Sequence, residues 1–472
     1  MLRTKLVCTL GPATASEQIV RDLVAIGLDM ARINMSHGTH EQHARAIRHV
    51  RQAAEDAGRP VAILVDLAGP KIRVGDLPHP LELKVGASIT IAPQDAAADE
   101  EIPSTYPLLA EDLKPGDRVL LDDGLMEMEC VETVDRRVIL RVVRGGILES
   151  RKGINLPGIS VRAPSLGPRD LADLDFALDQ GAEYVGLSFV QRAADVEALK
   201  KRVAGRALVV AKIEKVRALQ AIEDVLRACD AVMVARGDLG VELPFEQVPL
   251  AQKRIIQMAN FFGRPVITAT QMLESMIDYP RPTRAEASDV ANAILDGTDA
   301  VMLSGETAVG QFPLQALEAM VRIVREIESS KVLEQGPRYL VWDEDRVRSG
   351  ATPREHAVAS ATVESVRLLR SPAVIVITRS GFSARLVSSY RPPVPIFAVC
   401  TDRRTYSQLP PVWGIQPVLG EDCDHTYDAL LEVGRRAVLE SGVGRPGQSI
   451  VVTSGYPFHM QGSTNTMRVE QL

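Results

Sequence analysis

Within residues 207–306 the sequence carries four short apolar runs, which read ALVVAKIE (207–214), AVMVARGD (231–238), PVITAT (265–270) and AVMLSGE (300–306). A segment of helix length separates each run from the next. Apolar runs of strand length with helices between them are typical of parallel strands in an α/β protein. This region therefore predicts four parallel strands of one sheet.

Each of the four runs ends in polar residues. They are Lys212, Glu214, Arg236, Asp238, Thr270, Ser304 and Glu306. Because side chains alternate along a strand, we expect Lys212 and Glu214 to point the same way, and likewise Arg236 and Asp238. Cations and carboxylates are therefore predicted to gather at one end of one sheet.

The two carboxylates at these strand ends, Glu214 and Asp238, are candidate metal ligands. Two ionised carboxylates about 5 Å apart repel by roughly 3 kcal/mol at an effective dielectric near 20. Oxygen ligands from different strands, with room for water and substrate, suit Mg²⁺ or Mn²⁺. A structural network of ion pairs at the end of the sheet is the alternative.

Composition restricts the class of protein. A chain of 472 residues predicts about three domains, and its net charge of −7 argues against nucleic acid as a partner. No apolar run approaches the ~18 residues of a membrane span, and no signal peptide is recognisable, so we expect a cytoplasmic protein without a membrane partner. The five cysteines lack metal-ligand spacing and read as reduced thiols.

Four more strands are predicted outside the opening region, over residues 2–10, 29–36, 60–66 and 183–189. Ser16 is predicted to cap a helix that ends at Gly27. Eight strands alternating with helices close as a (β/α)₈ TIM barrel, the predicted catalytic domain, over residues 1–72 and 162–332.

Residues 73–161 change to alternating patterning with hairpin signals, which predicts a small β-barrel lid domain inserted in a barrel loop. Loops that follow barrel strands lie at the catalytic end, so the insert should cover the site. Two chain crossings, near Arg73 and Val161, suit a lid that excludes water. An inert insertion is the alternative.

A polar linker around residues 335–353 precedes a predicted C-terminal α/β domain of mixed sheet within residues 333–472. Its first strand runs into TRSGFS (378–383) and then into a helix. Hydroxyls, an arginine and free backbone N–H groups at a helix N-terminus favour a phosphate site. The candidates are Thr378, Arg379, Ser380, Gly381 and Ser383. A capped turn is the alternative.

The polar strand ends belong to longer motifs: CTLGPAT (8–14), ARINMSHG (31–38), KIE (212–214), ARGDLGVE (235–242), ATQMLESM (269–276) and MLSGET (302–307). In this order they resemble the pyruvate kinase family, over essentially the whole chain. The resemblance implies phosphoryl transfer from phosphoenolpyruvate to ADP, the last step of glycolysis. It also implies a homotetramer and a phosphorylated allosteric effector, such as a sugar phosphate or AMP, bound by the C-terminal domain.

The resemblance also implies roles for individual residues. The implied contacts to phosphoenolpyruvate are Arg32, Lys212, Gly237, Asp238 and Thr270. Among them, Lys212 and Arg32 would stabilise the phosphoryl group during its transfer. Thr270 would lie beside the enolate carbon that is protonated. Glu214 and Asp238 would hold Mg²⁺ or Mn²⁺. The implied nucleotide contacts are Asn34, His37, Arg73 and Arg169.

The chain departs from the family pattern beside Asp66. Leu67 and Ala68 replace a common Thr-Lys pair, and Lys71 replaces a glutamate found in members that need K⁺. The implied monovalent-ion region is Asn34, Ser36, Asp66 and Lys71. We expect K⁺ not to be required, with Lys71 in its place; a solvated hinge lysine is the alternative. Arg162 replaces an acidic hinge residue of the family, so the resemblance does not predict which contacts form there when the lid closes.

Two other function classes fit part of the pattern. A metal-dependent barrel lyase or aldolase acting through a pyruvate enolate would also need Lys212, Glu214 and Asp238, but not a lid with nucleotide-facing arginines. A non-enzymatic sensor of phosphorylated metabolites would not need Lys212 and Thr270 together with the acidic pair.

Overall fold

The computed structural model describes residues 1–162, 164–330, 332–333, 354–456 and 464–472. The linker predicted around residues 335–353 lies outside the described residues. Among the described residues, no helix combines the length and the apolar character that a membrane crossing requires.

The strands form four sheets. In chain order they are β1 (Lys5–Leu10), β2 (Met30–Asn34), β3 (Ala62–Asp66), β4 (Leu81–Leu83), β5 (Ser88–Pro93), β6 (Ile102–Ser104), β7 (Arg118–Leu121), β8 (Met126–Val134), β9 (Arg137–Arg144), β10 (Gly146–Leu148), β11 (Ile154–Asn155), β12 (Tyr184–Leu187), β13 (Leu208–Ile213), β14 (Ala231–Ala235), β15 (Val266–Ala269), β16 (Ala300–Leu303), β17 (Val374–Thr378), β18 (Ile396–Cys400), β19 (Ile415–Leu419), β20 (Ser449–Ser454) and β21 (Thr466–Gln471).

The helices lie between these strands. In chain order the described ones are α1 (Glu17–Ile26), α2 (His40–Asp56), α3 (Leu109–Asp112), α4 (Pro168–Asp179), α5 (Ala193–Val203), α6 (Val216–Gln220), α7 (Ile222–Ala228), α8 (Arg236–Glu242), α9 (Val248–Phe261), α10 (Arg284–Asp296), α11 (Gly305–Ala308), α12 (Pro313–Ser329), α13 (Arg354–Leu369), α14 (Phe382–Ser389), α15 (Arg403–Gln408) and α16 (Tyr427–Glu440).

Eight parallel strands close into the predicted barrel, in the order β1-β16-β15-β14-β13-β12-β3-β2. Most of these strands are buried along their whole length, because helices cover the outside and side chains fill the inside. Met30, Leu64 and Tyr184 belong to the interior cluster. The helix after β1 has the predicted caps: Ser16 accepts from the Ile19 N–H, and Gly27 has a φ of 135°.

The insertion follows β3 and contains β4 to β11. Its strands form a six-stranded sheet, β11-β7-β8-β9-β5-β6, and a two-stranded sheet, β10-β4. Val119, Met128 and Leu140 lie in its own core. The Gly158 N–H, on the return from the insertion to the barrel, donates to Glu242 Oε2 of α8 at 3.3 Å. The lid therefore contacts the helix that follows a barrel strand, at the end where Asp238 lies.

The C-terminal domain is the predicted α/β unit with a mixed sheet. Its order is β19-β18-β17-β20-β21, and only β21 is antiparallel to its neighbour. Polar contacts join it to the barrel: Lys5 Nζ donates to the Ile415 carbonyl at 2.7 Å. Neither the helix α15 nor the strand β19 was predicted from the sequence pattern.

Six of the eight predicted barrel strands end earlier than expected, and two of them end three residues early. The run 231–238 is a strand only to Ala235, and α8 begins at Arg236. The expectation that Arg236 and Asp238 share a strand face is therefore wrong. Likewise β16 ends at Leu303, and the buried Glu306 accepts from the backbone N–H groups of Leu273 and Ser304. Glu306 thus holds two loops together.

Candidate functional site

Lys212, near the end of β13, is the centre of the site. It is 9% exposed, and its Nζ lies 2.8 Å from Glu214 Oε1 and 3.3 Å from Asp66 Oδ1. The ammonium also donates to Ser188 Oγ at 2.8 Å. Burial alone would lower the pKa of Lys212, but the charges of Asp66 and Glu214 outweigh it and raise the pKa. The site therefore holds a buried, charged ammonium.

Arg32 on β2 supplies a second cation beside Asp66. Its Nε donates to Asp66 Oδ2 at 2.8 Å, and its Nη1 donates to Thr9 Oγ1 at 3.0 Å. Burial alone would raise the pKa of Asp66, but Lys212 and Arg32 outweigh it and hold the pKa below its usual value. Asp66 is thus an anion that fixes two cations side by side, an arrangement that can bind an anionic group.

Glu214 and Asp238 form the acidic part of the site. Glu214 is 1% exposed, and one of its oxygens accepts from the Phe189 N–H at 3.0 Å. Burial raises the pKa of Glu214, Lys212 opposes this, and the charge of Asp238 raises it further. Two acidic groups therefore act on each other electrostatically. A divalent cation with water and substrate oxygens as further ligands would neutralise them, so these residues fit Mg²⁺ or Mn²⁺.

Thr270 follows β15 in a left-handed conformation, with a φ of 66°. This conformation is unusual for a β-branched residue and must be held by its surroundings. The hydroxyl donates to the Ala269 carbonyl at 2.6 Å and accepts from the Gly237 N–H at 2.8 Å. Thr270, in the turn after β15, is therefore brought to Gly237 of α8, next to Asp238.

The implied nucleotide contacts lie on different elements. Arg169 at the start of α4 donates to the Met35 carbonyl at 2.8 Å, so it reaches the turn between Asn34 and His37. Asn34 Oδ1 accepts from the Ser36 N–H at 3.2 Å. Because β2 ends at Asn34, Ser36 lies in a turn and strand alternation does not set its direction.

Two implied site residues contact the lid instead. Arg73 Nη1 donates to the Arg151 carbonyl at 3.0 Å. Lys71 Nζ lies 3.7 Å from Asp123 Oδ1, in the turn between β7 and β8. Asp66, beside which Lys71 was expected, is paired with Arg32 and Lys212. In this conformation the lysine at the root of the lid therefore contacts a lid carboxylate.

Arg162, at the return crossing from the lid, forms contacts within the lid. Its Nη1 lies 3.0 Å from Glu111 and its Nε 2.9 Å from Asp112. Its backbone N–H donates to the Tyr106 hydroxyl at 3.1 Å. A basic residue at this hinge thus has acidic partners on α3.

The loop after β17 has the geometry of a helix N-terminus. The Gly381 N–H donates to Thr378 Oγ1 at 3.0 Å, and Gly381 has a φ of 75°. Arg379 and Ser380 are exposed. Ser383 is 7% exposed, and its hydroxyl lies 2.6 Å from Thr464 Oγ1. The exposed part of the loop is therefore formed by two residues ahead of α14.

Three residues that hold the site together were not predicted as site residues from the sequence. They are Thr9, Ser188 and Phe189. Ser188 accepts from Lys212 and donates to the Leu67 carbonyl at 2.7 Å, so it links the ammonium to the end of β3. The available signal for Ser188 was a polar residue at the end of an apolar run, the same signal that identified Lys212.

A closed (β/α)₈ barrel with a β domain inserted after its third strand, and with buried cations and carboxylates at its strand ends, suits an enzyme that acts on an anionic substrate. Residues 1–317 match the family model described as pyruvate kinase, barrel domain, and residues 356–470 match that described as pyruvate kinase, alpha/beta domain. The chain belongs to the pyruvate kinase family.

Curated relatives are similar over nearly the whole chain. A pyruvate kinase of Geobacillus stearothermophilus is 42% identical over 482 residues, which cover 99% of this chain and 80% of the relative. Pyruvate kinase 2 of Synechocystis sp. is 44% identical, over 99% of this chain and 79% of the relative. A pyruvate kinase of Agrobacterium vitis is 42% identical, over 100% of this chain and 97% of the relative.

Proposed function

We propose that this chain transfers the phosphoryl group of phosphoenolpyruvate to ADP, giving pyruvate and ATP in the last step of glycolysis. The observation that carries the proposal is the buried ammonium of Lys212 between Asp66 and Glu214, with Arg32 beside it. Such fixed positive charge stabilises the developing charge of a transferring phosphoryl group and of an enolate oxygen. Family membership supports the same reaction.

Each of the residues that the family resemblance identifies as a substrate contact has its own role in the proposed reaction. Arg32 binds the phosphoryl oxygens, and Lys212 lies between the phosphoryl group and the enolate oxygen. The Gly237 backbone and Asp238 border the carboxylate of the substrate. Thr270 lies beside the carbon that receives the proton. Because no side chain forms a covalent bond, catalysis comes from positioning and charge neutralisation.

Glu214 and Asp238 would hold the divalent cation. When bound, Mg²⁺ or Mn²⁺ supplies positive charge to the phosphoryl and carboxylate oxygens. The buried Glu214 carboxyl, whose pKa is raised by burial and by Asp238, supports this assignment because a cation there would stabilise both anions.

Binding of ADP is proposed to involve Asn34, His37, Arg73 and Arg169, with closure of the lid. The contact between Lys71 and Asp123 supports a lid whose position is coupled to residues at its root. Closure would exclude water from the phosphoryl group. The same lysine is proposed to replace K⁺ near Asn34, Ser36 and Asp66, so that the enzyme runs without a monovalent cation.

Regulation is proposed to act through the loop 378–383. Exposed Arg379 and Ser380 precede α14, whose free N–H groups favour a phosphate. A sugar phosphate or AMP is the proposed effector. We further propose that the enzyme is a homotetramer, as the resemblance to the family implies, and that it is cytoplasmic, which its free cysteines support.

One assay tests the reaction. Pyruvate formation from phosphoenolpyruvate should require both ADP and Mg²⁺; pyruvate formed without ADP would favour a phosphatase or lyase instead. Glu214→Gln should raise the Mg²⁺ concentration that gives half-maximal rate, whereas Glu421→Gln, at an exposed ion pair with Arg403, should not. An unchanged Mg²⁺ requirement in Glu214→Gln would show that Glu214 is not a metal ligand.

A further inference from the structure

Arg236, the first residue of α8, is a buried arginine that the proposed mechanism does not use. It is 8% exposed, and its Nη1 pairs with Asp289 Oδ2 at 2.7 Å. The same nitrogen donates to Gln252 Oε1 at 3.4 Å. One edge of the guanidinium is therefore fixed to helices α9 and α10 on the outside of the barrel.

The other edge faces the backbone of the turn after β15. Nη2 donates to the Thr270 carbonyl at 2.6 Å and to the Gln271 carbonyl at 3.2 Å. Nε donates to the Ala269 carbonyl at 3.3 Å and to the Thr270 carbonyl at 3.2 Å. Three consecutive carbonyls thus converge on one guanidinium, a planar group with five donors in fixed directions.

These carbonyls belong to a strained turn. Thr270 and Gln271 both have positive φ, 66° and 54°, although neither is glycine. Non-glycine residues keep this conformation only where surrounding contacts fix it. In this turn Arg236 donates to the Thr270 and Gln271 carbonyls, and it shares the Ala269 carbonyl with the Thr270 hydroxyl. The arginine therefore fixes the direction of the Thr270 side chain, whose hydroxyl accepts from the Gly237 N–H at 2.8 Å.

We propose that Arg236 is a positioning residue for proton delivery at Thr270. The inference rests on the proposed function, in which Thr270 lies beside the carbon that is protonated. In that step the C=C electron pair of the enolate forms a C–H bond at the methylene carbon. The pair on the enolate oxygen forms the carbonyl, and solvent supplies the proton through the hydroxyl. Phosphoryl transfer depends on Lys212 and Arg32, which Arg236 does not contact in any described hydrogen bond.

The test separates the two steps. Exchange of pyruvate methyl hydrogens with D₂O, followed by NMR with Mg²⁺ and ATP present, reports protonation without net phosphoryl transfer. Arg236→Lys keeps the positive charge near Asp289 but cannot bind three carbonyls at once. We expect exchange to slow by about tenfold or more, as for a misplaced catalytic group, while KM for phosphoenolpyruvate changes by less than about threefold.

A matched control lies at the opposite end of the same strand. Arg264, just before β15, also donates to backbone carbonyls, those of Leu226 at 3.0 Å and Arg227 at 3.3 Å. Arg264→Lys should leave the ratio of exchange to turnover unchanged. If Arg236→Lys does not fold, Asp289→Asn loosens the guanidinium while keeping all its donors, and should slow exchange in the same direction but less.

A double mutant distinguishes failure of the inference from failure of the proposed function. If Arg236 acts through Thr270, Arg236→Lys should slow exchange no further in a Thr270→Ala background. The positioning role would be overturned if Arg236→Lys slowed exchange by the same factor in the Thr270→Ala background as in the wild type. It would also be overturned if Arg236→Lys alone left the exchange rate unchanged. Unchanged exchange in Thr270→Ala would instead overturn the proposed role of Thr270.

Discussion

Asp299 of the barrel and Arg391 of the C-terminal domain form a buried ion pair, with Nη1 and Oδ1 3.0 Å apart. Both are almost fully buried, and Asp299 also accepts from the Trp413 N–H at 3.1 Å. Arg391 further donates to the Gly297 carbonyl at 2.6 Å. The pair therefore joins two domains at the end of the barrel opposite the site.

Removing one charge of this pair should be costly, because the other would stay buried. We expect Asp299→Asn to destabilise the protein by about 3 to 5 kcal/mol. The exposed pair Arg403–Glu421 is the control, where Glu421→Gln should cost less than about 1 kcal/mol. Thermal unfolding midpoints of both variants give the comparison. Equal shifts would mean that the interdomain pair is no stronger than a surface pair.

Lys212→Met should leave substrate binding largely intact and lower kcat by at least about 10²-fold. Loss of one preorganised charge at a developing oxyanion costs roughly 3 to 4 kcal/mol. Steady-state kinetics with phosphoenolpyruvate and ADP measure this. Lys200→Met is the control, since Lys200 pairs with Asp230 at 2.7 Å away from the site. A kcat near the wild-type value in Lys212→Met would contradict the assignment.

The barrel could be predicted from sequence because its strands are buried on both faces and therefore appear as apolar runs. The Lys212–Glu214 contact was also predictable, since two residues at a strand end stay on one side. The direction of the Arg236 side chain was not predictable, because the chain turns into the short helix α8 directly after Ala235. A seven-residue helix has too few turns for a recognisable periodicity.

Other features depend on contacts that a sequence does not show. The left-handed Thr270 depends on carbonyl contacts from Arg236, on a different strand end. Lys71 contacts Asp123, which is distant in the chain, because the lid returns over its own root. Strand β19 was not predicted because it contains Pro417. Since β19 is an edge strand, the backbone nitrogen of Pro417 can face away from the sheet, where no N–H is needed for strand pairing.

Glu286 should make stability depend on pH. Burial alone would raise its pKa, but hydrogen bonds from Ser275 and Thr283 outweigh it and lower the pKa. A carboxyl with a depressed folded-state pKa stabilises the protein above its unfolded value of about 4.3, and this stability is lost as pH falls through the folded value.

Glu286→Gln should therefore destabilise the protein by about 1 kcal/mol at neutral pH, since the amide cannot accept all of these hydrogen bonds. The difference from wild type should shrink as pH falls below about 4. Thermal midpoints across the acid range measure it. A gap between the two proteins that stays constant with pH would exclude a charged Glu286 as the cause.

The proposed effector loop should lose phosphate binding when its exposed residues are removed. Arg379→Ala with Ser380→Ala removes one positive charge and one hydroxyl ahead of α14. We expect calorimetry with a panel of sugar phosphates and nucleoside monophosphates to show a loss of binding to this double mutant. Arg367→Ala on α13, paired with Glu364, is the control for charge alone. The same affinity for wild type and double mutant would place the site elsewhere.

Lys71 should determine whether the enzyme needs K⁺. In its proposed role, the Lys71 ammonium would supply to the phosphoryl group the charge that K⁺ brings. It would also repel a bound K⁺ by roughly 3 kcal/mol at 5 Å and an effective dielectric near 20. We therefore expect full activity in K⁺-free buffer. Lys71→Glu should create a K⁺ requirement, measured as activation by added KCl at constant ionic strength.

Lys152→Glu is the matched control, because Lys152 pairs with the adjacent lid carboxylate, Asp122, at 3.2 Å. It makes the same charge change in the lid without altering the root, so it should not create a K⁺ requirement. Asp123→Asn adds a further arm: it removes the lid partner of Lys71 and should leave the enzyme K⁺-independent, since the ammonium itself supplies the charge. A wild-type enzyme that is nearly inactive without K⁺ would show instead that Lys71 is a solvated hinge lysine.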